Sequence, residues 1–355
     1  MTARIVVAGG GTAGHIEPAL AVAEVLRDSY GAEVTALGTE KGLETTIIPA
    51  RGFPLELIEP VPIPRKKPLK LLGVPAKLVR SVNQTRAALK KAQADAVFGT
   101  GGYVSASAYL AAKTLGVPFY VLETNALAGM ANKLGVKLGG VGFNAVPNSG
   151  MEGEVLGIPV RPGVGVDNDG VKAERGYKTW NLTPDRPTVL VTGGSQGARS
   201  INTALEGAVG RLVASGYQVL HAYGRKNDAP PAHEHYTAVP YIDDMEAAYA
   251  IADVVICRSG AMTVAENSAA GVPAIYIPLP HGNGEQGLNS AHLVEAGAAV
   301  RIDDSALTPD ALVDAVTRIL GPHGTAASMR KVLEGSGAGN AAEEIARRII
   351  GERKS

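Results

Sequence analysis

Hydrophobic positions in this chain gather into short solid runs separated by longer stretches of helical period. In the first half the runs lie at 5–8, 34–37, 55–58, 96–98, 119–122 and 141–143. Helical patterns fill the gaps, for example over 16–29, 69–92 and 104–115. The second half repeats the layout, with runs at 188–191, 218–221, 254–257, 274–277 and 299–302, and helical patterns over 197–214, 244–251, 260–270, 286–296 and 308–319. Runs without polar alternation belong to strands buried on both faces, and strands separated by helices predict parallel sheets covered by helices. Residues 157–163 and the polar stretch up to Pro187 are rich in proline and glycine, with weak periodicity, and predict a linker. The expected architecture is therefore α/β, with two tandem Rossmann-like doubly wound domains, 1–160 and 161–340, and a cleft between them. Residues 341–355 predict a terminal helix whose packing the sequence leaves open.

Composition narrows the function classes. The 355 residues are enough for two domains, and 45% hydrophobic with 19% charged residues is globular. Basic and acidic residues both number 34, which argues against bulk attraction to nucleic acid. The balance hides a split. Residues 1–160 hold 16 basic and 12 acidic residues and the remainder 18 and 22, so the halves carry +4 and −4. One cysteine, Cys257, excludes an intrachain disulfide and fits a reducing compartment. No apolar run reaches the roughly 18 residues of a membrane span, and the start has no signal-peptide layout. A soluble cytoplasmic protein is expected. Aromatics at 5% argue against a carbohydrate site built on stacked rings.

Four segments at strand ends carry candidate chemistry. Gly9-Gly10-Gly11-Thr12-Ala13-Gly14-His15 follows the first run, and Gly9, Gly11 and Gly14 fit G-x-G-x-x-G. Such a loop lets an anion approach bare amides at a helix start, where about half a unit of positive charge resides. A dinucleotide would also need an acid at the end of the second strand, and Glu40 is poorly placed for it. A tight turn without a ligand stays open as the alternative. The second segment, Gly193-Gly194-Ser195-Gln196-Gly197-Ala198, lacks the Lys-Ser/Thr of a nucleotide-hydrolase loop. Its amides and the Ser195 hydroxyl still suit a phosphate. The third runs from Cys257 to Glu266, where a helix start faces a diphosphate and Glu266 either accepts two ribose hydroxyls or is a solvated helix residue. Cys257 itself reads as buried packing. In the fourth, Glu285, Gln286 and Asn289 offer sugar hydroxyls several partners, or cap a loop.

Taken in order, these strings resemble the MurG family of bacterial peptidoglycan glycosyltransferases along the whole chain. The match includes GGGTAGH at 9–15, TGGYVS at 100–105, ETN at 123–125, GIPVR at 157–161, GGSQGA at 193–198, YIDDM at 241–245, CRSGAMTVAE at 257–266 and GNGEQ at 282–286. The resemblance implies a glycosyltransferase-B fold and an inverting transfer of N-acetylglucosamine (GlcNAc) from UDP-GlcNAc. The acceptor would be the 4-hydroxyl of undecaprenyl-pyrophosphoryl-MurNAc-pentapeptide. It also implies that Arg161 lies near the donor, that Ser195 contacts it, and that Ile242 meets the uracil through its main chain. Ala261, Met262 and Thr263 would face the diphosphate, Glu266 the ribose, and Gln286 with Glu285 the sugar hydroxyls. Thr12, Ala13, Gly14 and Asn125 would complete the sugar site. The sequence departs from the family pattern at Leu122, where a histidine is usual, at Glu285, where a glutamine is usual, and at Ala13, where glycine is common.

For that reaction His15 is the first candidate base, since a helix N-terminus favours the neutral imidazole, and Glu123 is its rival. No Asp-x-Asp pair lies in the four candidate segments. Asp243-Asp244 and Asp303-Asp304 are adjacent, so their side chains diverge and a metal-independent reaction is expected. Nine basic residues and no acid lie between Glu59 and Asp95. Lys66, Lys67, Lys70, Lys77 and Arg80, interleaved with Leu71, Leu72 and Leu78, predict an amphipathic helix and basic loop resting on an anionic membrane. The expected location is peripheral, on the cytoplasmic face of the plasma membrane. A nucleic-acid patch is disfavoured because the segment has no aromatic residue. The competing readings are another glycolipid glycosyltransferase, a UDP-GlcNAc 2-epimerase, an NAD-dependent dehydrogenase using Gly9–Gly14, and a sugar-nucleotide sensor.

Overall fold

The structure, a computed structural model, describes residues 2–61, 74–161, 163–194, 196–280, 284–334 and 340–351. Ser195 and the predicted membrane residues Lys66, Lys67, Lys70, Leu71 and Leu72 lie outside them. The chain divides into two compact units, Met1–Arg161 with Asn340–Ser355, and Pro162–Gly339.

In the first unit the strands are β1 (Arg4–Gly9), β2 (Glu33–Gly38), β3 (Leu55–Leu57), β4 (Ala96–Gly101), β5 (Phe119–Glu123), β6 (Val141–Asn144) and β7 (Glu154–Val155). Between them run α1 (Ala13–Asp28), α2 (Glu44–Ala50), α3 (Val74–Lys91), α4 (Gly102–Leu115) and α5 (Met130–Lys137). All pairings are parallel, in the order β3-β2-β1-β4-β5-β6-β7. The central strands are buried on both faces, which is why they read as unbroken apolar runs. One core cluster joins β1 and β2 to Ile16, Leu20 and Leu26 of α1. The other joins β4 and β5 to Val104, Ala108 and Tyr109 of α4.

The second unit contains α6 (Val171–Trp180), β8 (Thr188–Thr192), α7 (Arg199–Ala214), β9 (Gln218–Ala222), β10 (Tyr236–Val239), α8 (Met245–Ile251), β11 (Val254–Cys257) and α9 (Ala261–Ala269). After these come β12 (Ala274–Tyr276), α10 (Glu285–Asn289), α11 (Ala291–Glu295), β13 (Ala299–Arg301), α12 (Pro309–Leu320) and α13 (Ala326–Glu334). Its sheet is also parallel, ordered β10-β9-β8-β11-β12-β13.

The terminal helix, α14 (Ala341–Gly351), packs on α1 in the first unit. Its Ile345, Ala346 and Ile349 are fully buried in the core of β1 and α1. Each buried isoleucine contributes about 2 kcal/mol. The Tyr30 hydroxyl donates to Glu343 at 2.8 Å, and Arg348 forks onto Glu154 at 3.0 and 3.1 Å.

Three sequence expectations change. The polar linker holds α6, which packs on α8. It is bounded by Gly170 and Asn181 in left-handed conformation, and the weak periodicity reflects a short, mostly exposed helix. Residues 286–296 form two short helices joined at Ser290 rather than one. The half-buried edge strand β10, with no solid apolar run, went unread.

Candidate functional site

In both sheets the chain order reverses beside the first strand of the unit, at β1/β4 and at β8/β11. Such a reversal opens a crevice at the carboxyl ends of the two strands, where open parallel sheets bind ligands. Each glycine loop leaves the sheet at this point.

In the second unit a cavity of about 450 Å³ occupies the reversal, lined by Gly193, Gly194, Gly197 and Ala198 from the β8 loop, Gly260 and Thr263 from the β11 loop, and Gln286 of α10. Arg199 and Arg258 also line it. The helices that start here, α7 and α9, have Ala198 and Gly260 at their N-caps and no side-chain cap. By contrast Asp244 caps α8 and Thr308 caps α12. Two uncapped helix starts with two guanidinium groups make an electropositive pocket suited to an anion. Arg258 is engaged within the fold. It donates to the carbonyls of Ile277 and Pro278, to Asp304 at 2.5 Å and to Ser200 at 2.8 Å, so it braces the pocket floor. Arg199 is exposed and pairs with no carboxylate among the described residues. A wider neighbouring cavity of about 630 Å³ shares Arg199, Arg258 and Leu279.

The other predicted donor residues take distinct places. Ala261, Met262 and Thr263 form the half-buried first turn of α9. Glu266 lies one turn further, 8% exposed, and its Oε2 accepts from the fully buried Tyr249 hydroxyl at 3.2 Å. Burial and the adjacent Glu266 hold that phenol protonated, well above its usual range. Gln286 Oε1 accepts from the Leu279 amide at 3.0 Å, and Asn289 reaches the Ser259 carbonyl at 3.3 Å, joining α10 to the β11 loop. Ile242 is buried before α8, and neither it nor half-buried Glu285 lines the 450 Å³ cavity. Cys257 is buried, with Asn267 at 3.4 Å from its sulfur, and burial pushes its thiol up to about 12. It is packing. The paired acids face arginines: Asp243 meets Arg225, Asp244 meets Arg175, Asp303 meets Arg301 and Asp304 meets Arg258.

The first unit treats its loop differently. Thr12 and Ala13 are exposed, while Gly14 and His15 are half-buried at the start of α1. The His15 Nδ1 lies 2.9 Å from the Thr100 carbonyl, and the Thr100 hydroxyl donates to the His15 carbonyl at 2.6 Å. A carbonyl only accepts, so Nδ1 carries the proton and the neutral ring has its lone pair on Nε2. One amide of this loop is engaged within the fold. The Gly11 amide donates at 2.9 Å to Oε1 of Glu44, a fully buried carboxylate from the first turn of α2. The glycines at 9 and 10 are needed for packing, since a Cβ at Gly9 would strike Thr100 and the His15 carbonyl, and one at Gly10 would meet Glu44 and Val104. Gly14 differs, because only Thr12 Oγ1 lies within reach of a Cβ there, at 3.8 Å.

Glu123, the rival candidate base, is engaged within the fold. It is 1% exposed, and its carboxylate accepts from the Asn125 amide, the Asn125 side chain, the Gly129 amide and Asn132, at 2.8 to 3.3 Å. Four donors use the roughly four lone-pair directions of a carboxylate, so Glu123 organises the turn that presents Asn125. Leu122 is buried in the core. Arg161 is the half-buried last residue of the first stretch. On α3, Lys77 and Arg80 are exposed beside Val79, Leu78 is half-buried, and Arg80 lies 3.3 Å from Glu59.

Sequence reasoning missed Glu44, Tyr249, Arg199 and Arg258 as site residues. The two arginines had a signal, one directly after GGSQGA and the other inside CRSGAMTVAE. Glu44 and Tyr249 had none, because their burial arises only on folding.

The glycosyltransferase family 28 N-terminal domain matches residues 5–138, and the family 28 C-terminal domain matches residues 188–349. A Corynebacterium glutamicum protein is 60% identical over 99% of both chains, and a Nocardia farcinica protein is 50% identical over 97% of this chain and 94% of its own. Both are UDP-N-acetylglucosamine–N-acetylmuramyl-(pentapeptide) pyrophosphoryl-undecaprenol N-acetylglucosamine transferases. Among solved structures, Acinetobacter baumannii MurG matches with a TM-score of 0.77 at 29% identity, over 98% of each chain. The calicheamicin glycosyltransferase CalG4, at 17% identity and a TM-score of 0.67, shares the fold.

Proposed function

The chain belongs to the MurG family of N-acetylglucosamine transferases, and on that premise we propose that it moves N-acetylglucosamine from UDP-GlcNAc to the 4-hydroxyl of lipid-linked MurNAc-pentapeptide in peptidoglycan synthesis. The observation that carries the reading is the electropositive cavity at the β8/β11 reversal. The UDP diphosphate rests against the starts of α7 and α9, with Arg199 facing it and Ser195 as a further contact. Glu266 holds the ribose, Ile242 the uracil, and Gln286 with Glu285 the sugar hydroxyls. In the first unit Thr12, Ala13, Gly14 and Asn125 meet the sugar, and Arg161 lies near the donor. Gly14 supports this, since neither its packing nor its backbone explains the absence of a side chain.

The acceptor hydroxyl attacks the anomeric carbon as the bond to UDP breaks, with inversion. His15 Nε2 takes the hydroxyl proton, and the Thr100 carbonyl holds the ring in the tautomer that permits it. Negative charge grows on the departing diphosphate, where the two helix starts and Arg199 are already oriented toward it. We propose that no metal is needed for that step. The pairing of Asp243, Asp244, Asp303 and Asp304 with arginines supports this.

Among the described residues no helix is long and apolar enough to cross a membrane. Access to a lipid-linked acceptor is assigned to α3, where Lys77 and Arg80 project beside a 60% exposed Val79. The enzyme would then be peripheral at the cytoplasmic face, on anionic lipid at about 1 kcal/mol per cation. One experiment tests both parts. UDP release is measured with UDP-GlcNAc and either the lipid-linked muramoyl pentapeptide in anionic vesicles, a short-chain soluble analogue, diacylglycerol, or no acceptor. Turnover is expected with the first two only. Donor consumption without acceptor, or transfer to diacylglycerol alone, would overturn the assignment. Lys77→Glu/Arg80→Glu should cut the vesicle rate several-fold and spare the soluble acceptor. Equal rates would remove the membrane role of α3.

A further inference from the structure

Glu44 is an ionisable group in a place where folding stability alone would not put one. Its side chain is fully buried, no cation pairs with it among the described residues, and its Oε2 has no hydrogen-bond partner there. Carboxylates so placed are costly, and an apolar replacement is often neutral or better for stability. Yet the fold makes room for it with three glycines from three places. A Cβ at Gly10 would come within 2.5 Å of Oε1, one at Gly38 within 2.7 Å of the Glu44 Cβ, and one at Gly42 would collide with Oε2. The product of this arrangement is one contact, Oε1 on the Gly11 amide at 2.9 Å.

That amide is a donor a phosphate at this loop would need. Gly11 is also the residue where the loop turns, with φ at +88°, immediately before the Thr12 cap of α1. We propose that Glu44 is the internal hydrogen-bond acceptor of the Gly9–Gly14 loop and a positioning residue for His15. It fixes the loop on one side of the helix start while Thr100 fixes His15 on the other. Because Glu44 already engages the Gly11 amide, this loop serves as a rigid mount. The inference deepens the proposed role of His15 and rests on it.

The test uses the full chain and a soluble acceptor, with kcat, KM for UDP-GlcNAc and thermal unfolding measured for each variant. Glu44→Ala should lower kcat roughly 30-fold and leave the donor KM within about twofold, as loss of a charged hydrogen bond expressed in positioning requires. Glu44→Gln keeps the reach of the accepting oxygen without the charge and should recover to within about fivefold of the parent rate. Glu44→Asp keeps the charge but falls a methylene short of Gly11, and should remain as slow as Glu44→Ala. The pair Glu44→Ala/His15→Ala should be no slower than His15→Ala alone. A rate order with Asp above Gln, additive losses in the pair, or a loss confined to the donor KM would overturn the proposal. If Glu44→Ala does not fold, the order of Gln and Asp decides. If His15→Ala keeps the parent rate, the base assignment fails on its own, and the same order still decides on Glu44.

Discussion

The two glycine loops stand at equivalent points of two similar sheets, yet they differ in what surrounds their amides. The loop after β8 opens into a cavity lined by Arg199 and Arg258, with two uncapped helix starts. The loop after β1 also leads into a helix start without a side-chain cap, but its Gly11 amide is taken by Glu44 of the same unit. A glycine-rich turn between strand and helix therefore does not by itself specify an anion site. What the neighbouring element inserts into the turn decides whether the amides are offered or used. Under the proposed function this comparison makes the second unit the charge-binding half of the enzyme and the first the half that would hold reacting groups in register.

The sharpest way to break the comparison is at His15. If the first loop is a mount for a base, His15→Ala should lower kcat by about 100-fold or more and leave the KM for UDP-GlcNAc nearly unchanged. A loss mainly in donor KM would make the first loop a binding element like the second. The next largest effect is expected from making the second loop resemble the first. Arg199→Glu places a carboxylate at the cavity where Arg199 now stands, and UDP affinity measured by calorimetry should fall roughly 10- to 30-fold. An unchanged affinity would mean that the diphosphate does not sit at this cavity.

How much of this was legible in the sequence follows from what each feature depends on. The central strands were readable because burial on both faces forces unbroken apolar runs, as in β1, β8 and β11. The edge strand β10 and the short helix α6 were not, since half-exposed elements have no such constraint. The terminal helix was visible from its spacing, but its partners were not: Glu343 meets Tyr30 across 313 positions of chain. The segments that meet at the β8/β11 cavity were legible because they come as contiguous strings at strand ends. At the first loop the contiguous string was not enough. Its deciding residue, Glu44, lies 33 positions from Gly11 and looks like an ordinary helical acid until Gly10, Gly38 and Gly42 converge around it.

The smallest expected effect concerns how a buried partner tunes a binding group in the second unit. The Tyr249 hydroxyl donates to Oε2 of Glu266 at 3.2 Å from a buried position. It can orient the carboxylate without touching a ligand. Removing the hydroxyl in Tyr249→Phe keeps the ring and its packing, and leaves one oxygen of Glu266 without that donor. A hydrogen bond to a charged group of ordinary strength contributes about 1.5 kcal/mol or more, of which a ribose contact that can re-form loses only part. The KM for UDP-GlcNAc should therefore rise about threefold with kcat unchanged, against a rise of about tenfold or more for Glu266→Ala. The two variants combined should be no worse than Glu266→Ala alone, because the phenol acts only through the carboxylate. If Tyr249→Phe instead lowers kcat at constant KM, Glu266 belongs to the chemistry rather than to the ribose, and the division of labour between the two units would have to be redrawn.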